Sequence, residues 1–433
     1  MADIRPLSAV RYRARRGSDI STLIAPPYDV LDQSDKDRLL ARDPHNFVAL
    51  DLPHVPPKSA GPPEAYQHSA TLLADWLSSG VMIRESTAAL YPYRQRFEHR
   101  GRQHVRRGLI GRVRLEEFGA GCIHPHEQTF GGPKADRLEL TRATRCNLSP
   151  IFGLYRDPGN EITDGLYAGL SEPETSGRIN GIDHQLWVVT DQEKISKASG
   201  QFSSKDIYIA DGHHRYTTSL NYRAWLADRG ESIAADHPAN FVTFVLISMD
   251  DPGLLILPTH RCISGLKNFQ IEQFRAGLDS CISIEEVPHK PNPGDNLDTL
   301  LSGDGIVYGL YDGTSGRLYR LKVPVGHDPL ESLQAGRSRH WRKMNVAVLH
   351  HYIIEEVLKP RFGGGNEPAV HYMHNAEEAL NKCESGQSNL AFLLRPTPMA
   401  VVEQIATGGE LMPQKSTFFY PKVASGLVIN PLS

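Results

Sequence analysis

Residues 206–216 read Asp-Ile-Tyr-Ile-Ala-Asp-Gly-His-His-Arg-Tyr, and no other stretch of the chain restricts the fold so closely. The apolar run 207–210 predicts a buried strand, and Asp211-Gly212 predicts the turn that ends it. Helical periodicity then runs through Leu220, Tyr222 and Trp225. Gly212 supplies the backbone freedom such a turn needs. The N–H groups of a helix's first turn have no intrahelical acceptor, and the helix dipole favours negative charge beside them. His213, His214 and Arg215 add donors at the same end, where cations oppose the dipole unless an anion is present. An anion with phosphate geometry answers that conflict, because a guanidinium can hold it bidentately.

A second cluster lies upstream. His124-Pro125-His126-Glu127 sets a carboxylate beside two imidazoles in a loop. Gly131-Gly132-Pro133 then precedes a helix that carries Lys134, Arg137 and Arg145 near one face at i, i+3 or i+4 spacing. His124 and His126 on a strand would also share a side, as a pair of metal ligands does, although no third ligand is identifiable. Further pieces are Ala25-Pro26-Pro27-Tyr28-Asp29, a stiff loop able to position Tyr28 and Asp29, and Leu257-Pro258-Thr259-His260-Arg261. Lys415, Ser416 and Thr417 precede an aromatic strand, without the spacing of a Walker A loop. The nucleophile elbow Gly-x-Ser-x-Gly is absent, and Gly-x-Gly-x-x-Gly follows no predicted strand, which argues against those hydrolases and Rossmann dehydrogenases.

The rest of the 433 residues sets the frame. With 40% hydrophobic and 22% charged residues, the chain has the mix of a folded globular protein. Its 47 basic and 50 acidic residues give a net charge of −3, which argues against bulk adhesion to nucleic acid or anionic membrane. Five scattered cysteines (122, 146, 262, 281, 383) contain no CxxC pair, so they predict small core residues in a reducing compartment. The opening residues carry no apolar stretch of signal-peptide type, and the run 241–249 is half a membrane span; the expected location is cytoplasmic. Periodicity predicts a helix over 64–79, a hairpin of 89–97 with 103–115, and a central strand over 241–248. It also predicts a hairpin of 305–311 with 317–323, a helix over 346–358, strands near Ala391 and Phe418, and loops over 53–63 and 288–295. The irregular alternation indicates α+β or mixed α/β, with a soft boundary dividing 1–265 from an extension over 266–433.

Seven blocks in order carry a family resemblance: Ala25-Pro-Pro-Tyr-Asp-Val30, Pro125-His-Glu-Gln-Thr129, Pro133-Lys-Ala-Asp-Arg137, Arg145-Cys-Asn-Leu-Ser-Pro150, Asp211-Gly-His-His-Arg-Tyr216, Leu257-Pro-Thr-His-Arg261 and Met412-Pro-Gln-Lys-Ser-Thr417. Together they resemble the family catalogued as domain of unknown function 1015, over nearly the whole chain. The segment 209–216 is also similar to the phosphate-binding box of the ParB/sulfiredoxin superfamily, whose members include CTP-hydrolysing partition proteins, sulfiredoxins and free-serine kinases. His213 stands where sulfiredoxin has its reactive cysteine, which counts against that chemistry.

The resemblance implies an α+β fold, a mixed sheet with flanking helices around a ParB/sulfiredoxin-like core, with Gly212, His213, His214 and Arg215 on phosphates. The expected activity is a nucleotide-dependent phosphotransferase that acts on a small hydroxylated metabolite, free L-serine by resemblance. ATP or ADP would be the cofactor and a phosphorylated small molecule the ligand. Lys134, Arg137 and Arg145 would add positive charge, Glu127 or His126 would act as base, and Asp211 or Asp136 would hold Mg²⁺. Rival expectations are a phosphatase with His126 or His213 as nucleophile or general acid, and a nucleotide-gated DNA-binding protein.

Overall fold

The computed structural model describes residues 1–57, 59–129, 131–287 and 297–433. The loop expected over 288–295 lies outside the described residues. Two compact units emerge, Met1–Leu254 with Pro421–Ser433, and Leu255–Tyr420. The division falls after Leu254, where the sequence suggested 265, and the residues after Tyr420 rejoin the first unit. Short pairings fix that return: Asn430–Pro431 lies antiparallel to Cys146–Asn147, and isolated bridges join Val10 to Ile429 and Ala25 to Ser425.

The first unit is α+β, built on a ten-stranded mixed sheet. Its central strand is Phe241–Ser248, in which every residue is buried. That explains the unbroken apolar run, since a strand covered on both faces has no polar side. On one side it pairs antiparallel with Arg102–Arg114, and on the other parallel with Ile151–Tyr155. Arg102–Arg114 forms the expected hairpin with Tyr91–His99. Arg100 and Gly101 make the turn, with φ of 51° and 72°; two residues at positive φ match the twist of a hairpin. Beyond Ile151–Tyr155 come Ile207–Asp211, antiparallel, and then Ile123–His124, parallel. The sheet thus carries the two motif-bearing segments to one edge, side by side.

Helices cover the sheet. Gln192–Phe202 buries Ile195, Ala198 and Phe202, and Tyr216 of His213–Asp228 joins the same core as Ile151, Ile207 and Phe244. Full burial of each Ile or Phe side chain among them is worth about 1.5–3 kcal/mol. A second core gathers Phe47, Tyr66, Leu73, Trp76 and Leu140, from helices that include Pro63–Ser78 and Gly131–Thr144. The second unit has a six-stranded antiparallel sheet with Ile306–Asp312 and Arg317–Val323 as its hairpin. The helix expected over 346–358 winds as a π-helix over Leu349–Leu358. Its buried residues 349, 353, 354, 357 and 358 recur at spacings of four and five, which the wider turn keeps on one face better than 3.6 residues per turn does.

Candidate functional site

The strand Ile207–Asp211, next to the sheet edge, does not end regularly. Its pairing with Ile151–Tyr155 shifts between Ile209 and Asp211, so that Asp211 stands opposite Phe152 with Ala210 as the extra residue. Such a bulge re-aims the next side chain. Gly212 follows in the left-handed region, φ 96°, and caps the helix His213–Asp228. A Cβ there would stand 3.0 Å from Nε of Arg215, so close approach and backbone conformation both call for glycine. Asp211, Gly212 and His214 are partly exposed, while His213 and Arg215 are buried. The strand, turn and helix start are those the sequence indicated.

Two cations meet on Asp211. Nζ of Lys422 donates to Oδ1 at 2.7 Å, and a terminal nitrogen of Arg215 donates to Oδ2 at 2.6 Å. Burial alone would raise the carboxyl pKa, but Lys422 and Arg215 outweigh it and hold the group well below the usual carboxylate range. Arg215 also donates to the carbonyl of Pro150. Counted with neutral imidazoles, the turn carries one net positive charge, to which the helix N-terminus adds roughly half a charge.

His126 and His213 lie edge to face, with ring centroids 4.7 Å apart. The backbone N–H of His126 donates to Nε2 of His213 at 3.2 Å, which makes that nitrogen an acceptor. Burial pushes both imidazoles toward the neutral form, His126 down to about 4 and His213 well below its ordinary value, the latter helped by His126 itself. His124 points elsewhere: it stacks on Tyr208 and lies 3.4 Å from Asp206. The strand ends at His124, so the pair does not share a strand face, and the shared-ligand expectation for His124 and His126 fails.

The upstream helix behaves differently from its sequence reading. Arg137 is buried: it donates to Oδ2 of Asp136 at 2.7 Å and to the carbonyl of Asp51 at 2.7 Å, and its guanidinium lies 3.8 Å from the ring centre of Tyr28. Asp136 is fully buried, with its other oxygen taken by His54 at 2.6 Å and the Tyr66 hydroxyl at 2.8 Å. A buried charge survives only when paired in this way. The expected magnesium role of Asp136 is therefore corrected, since its oxygens are saturated and closed to solvent. Asp211 fits Mg²⁺ no better in this arrangement, with a cation on each oxygen. Arg145 falls outside the helix Gly131–Thr144, exposed and at φ 51°, because it ends the helix in the left-handed conformation. It does not share the face of Lys134 and Arg137 that spacing suggested. Lys134 and Glu127 are half-buried.

The two clusters do converge. Arg137 and Arg215 line one cavity of about 30 Å³ together with Tyr28, Asp51, Ser149 and Thr218. That is room for about two waters, too little for a phosphoryl group. Ser149 donates to Asp51 and lies 2.9 Å from the Ser425 hydroxyl. Asp51, Ser149, Ser425 and Lys422 escaped sequence reasoning. The nearest signals were the Arg145–Pro150 block for Ser149 and, for Lys422, the aromatic strand that follows the Met412–Thr417 block. His260 and Arg261 belong to the other unit, where Nδ1 of His260 accepts from the N–H of Leu394 and Arg261 donates to the carbonyls of Thr259 and Lys415. Ser416, in the same unit, donates to the carbonyl of Pro413.

The chain belongs to the family described as protein of unknown function (DUF1015), which matches residues 4–335. No curated protein matches it. Among solved structures, a free serine kinase in complex with AMP is similar at 12% identity and a TM-score of 0.34, over 71% of this chain and 89% of that one. A conserved hypothetical protein from Pyrococcus furiosus is similar at 14% identity and a TM-score of 0.34, over 71% and 91%. SbnI with a C-terminal truncation, from Staphylococcus aureus, is similar at 11% identity and a TM-score of 0.33, over 72% and 84%. Among the described residues, no helix is long and apolar enough to cross a membrane.

Proposed function

We propose that the protein is a nucleotide-dependent phosphotransferase that acts on a small hydroxylated metabolite, with free L-serine as the first candidate and ATP or ADP as donor. One observation carries this reading: Lys422 and Arg215 converge on Asp211 at a glycine turn that opens a helix. Phosphoryl transfer consists mainly of positioning and charge neutralisation, and this turn offers both. Gly212 lets phosphate oxygens approach the backbone of residues 213–215. Lys422 and Arg215, already fixed by Asp211, neutralise charge without reorganising. His214 and Lys134, both partly exposed, are assigned to reach outward toward further oxygens.

Glu127 is assigned as the base for the attacking hydroxyl. His126, adjacent in sequence, is 1% exposed and packed edge-on against His213, whereas Glu127 is half-buried. The hydrolase alternative would use His126 or His213 as nucleophile or general acid. Nε2 of His213 has its lone pair engaged by the His126 N–H, and in a neutral ring Nδ1 then carries the proton.

The test is a melting-temperature titration with ATP and ADP, each with and without Mg²⁺, beside a turnover assay with L-serine and other small alcohols. Native-state binding raises the melting temperature by mass action. Glu127→Gln should keep that rise and lower turnover by roughly 10²–10⁴-fold. A chain that no nucleotide stabilises removes the proposal. Phosphate release without an alcohol acceptor replaces it with hydrolysis, and DNA binding with a steep salt dependence replaces it with the partition-type reading.

A further inference from the structure

The second unit holds a separate cluster whose chemistry the phosphate site does not use. Asp279, Ser280 and Cys281 form the short connection between the helix Ile271–Gly277 and the strand Ser283–Val287. That strand runs antiparallel to Arg317–Val323, with Ser283 opposite Lys322, so its beginning lies beside the other strand's end. His327 follows just after that end. Sheet register thus brings together three donors from two loops, and one ligand atom from each of Asp279, Cys281 and His327 lies within 4.8 Å of the other two.

The details fit a cation rather than a chance neighbourhood. The N–H of Cys281 donates to Oδ1 of Asp279 at 3.0 Å, which orients the carboxylate and leaves Oδ2 toward His327. Nε2 of His327 stands 3.3 Å from that Oδ2, yet it is buried with no hydrogen-bond partner. A buried polar nitrogen without a partner costs free energy, and a metal ion would satisfy it. The Tyr352 hydroxyl accepts from the N–H of Asp279 at 2.6 Å and braces the loop. Cys281 is exposed, unlike the four other cysteines, so its thiol is open to solvent and to an incoming ion.

We propose that Asp279, Cys281 and His327 bind a divalent transition metal of borderline softness, Zn²⁺ foremost, with water as fourth ligand. One sulfur, one imidazole nitrogen and one carboxylate oxygen make a donor set suited to zinc and unsuited to Mg²⁺ or Ca²⁺, which take oxygen. Around a tetrahedral zinc with bonds of about 2.0–2.3 Å, ligand atoms stand roughly 3.3–3.8 Å apart, so the two exposed loops need close by only about 1 Å. The absence of CxxC pairs hides the site from a sequence scan, because its third ligand lies on another strand connection.

Co²⁺ titration of the full chain tests this, since cobalt reports on zinc sites by absorption. One equivalent should give a thiolate-to-cobalt charge-transfer band that Zn²⁺ abolishes and excess Mg²⁺ does not. Cys281→Ser should remove the band, and His327→Ala should weaken cobalt binding more than roughly 10-fold, while His68→Ala changes nothing. Thermal melts of the metal-free variants verify that they fold. A measurement on the unaltered chain stands beside these: Zn²⁺ should protect Cys281, the exposed cysteine, from alkylation by iodoacetamide. A chain with no cobalt–thiolate band, a band that survives Cys281→Ser, or alkylation indifferent to Zn²⁺ overturns the proposal.

Discussion

Arg215 is tied into the fold as well as being the proposed anion contact, so its removal will not report on binding alone. Arg215→Ala strips a buried partner from Asp211 and a donor from the Pro150 carbonyl. Breaking a buried ion pair on one side costs about 3–5 kcal/mol, and the variant should melt well below wild type before any ligand is added. Lys134→Ala is the cleaner probe, with nucleotide-induced stabilisation reduced and the ligand-free melting temperature unchanged. Equal melting temperatures for Arg215→Ala and wild type would show that the Asp211 clamp carries no weight in the fold. The imidazoles make a second prediction at this scale. His126 is neutral in the fold down to about pH 4, whereas in an unfolded chain it takes a proton near 6.5. Its folded pKa is depressed, so the unfolded state binds more protons between those values. Stability should therefore be complete above about pH 6.5 and fall as pH drops toward 4, by a few kcal/mol for this residue. Replacing His126 with Gln should flatten the melting-temperature profile over that window; an unchanged slope would mean that His126 does not contribute.

At the scale of elements, the glycine turn is the most exposed to test. Gly212→Ala places a side chain at φ 96° and brings Cβ to 3.0–3.2 Å of the Arg215 guanidinium. The backbone alone costs about 1–2 kcal/mol, and the guanidinium must also shift. The variant should lose stability by at least that much and lose nucleotide stabilisation with it, whereas Gly131→Ala, whose Cβ would meet nothing within 4 Å, should melt like wild type. This element was legible in the sequence because every signal agreed: an apolar run, a turn pair and then helical periodicity. The helix of Lys134 and Arg137 was legible as a helix and misleading as a surface. Spacing tells which residues share a face, but whether that face meets water depends on Asp51, Tyr28 and His54, which come from far upstream and cannot be weighed from local pattern. Lys422 was missed for the same reason, since its partner lies 211 residues earlier in the chain.

For the whole molecule, the return of Pro421–Ser433 to the first unit carries both packing and charge. Val428, Ile429 and Leu432 are buried there, and Lys422 supplies one of the two cations on Asp211. A chain stopped after Tyr420 should lose the cooperative melting of the first unit and show no nucleotide stabilisation. Adding residues 421–433 as a separate peptide should restore part of both; a truncated chain that melts like wild type would show the tail to be dispensable. The sequence-based boundary missed this because a linear scan of composition has no way to register a segment that leaves one unit and comes home to it.

That return also sets an order in time. Ribosomes extend a chain at about 5–20 residues per second, so the stretch Leu255–Tyr420 separates synthesis of the first 254 residues from arrival of their last partners by roughly ten to thirty seconds. During that interval Asp211 waits without Lys422, and the pairing places for residues 429 to 431 stand vacant. A nascent chain therefore cannot give Asp211 its second cation until the whole of the second unit has been made, so collapse of the first sheet alone leaves the turn short of a charge.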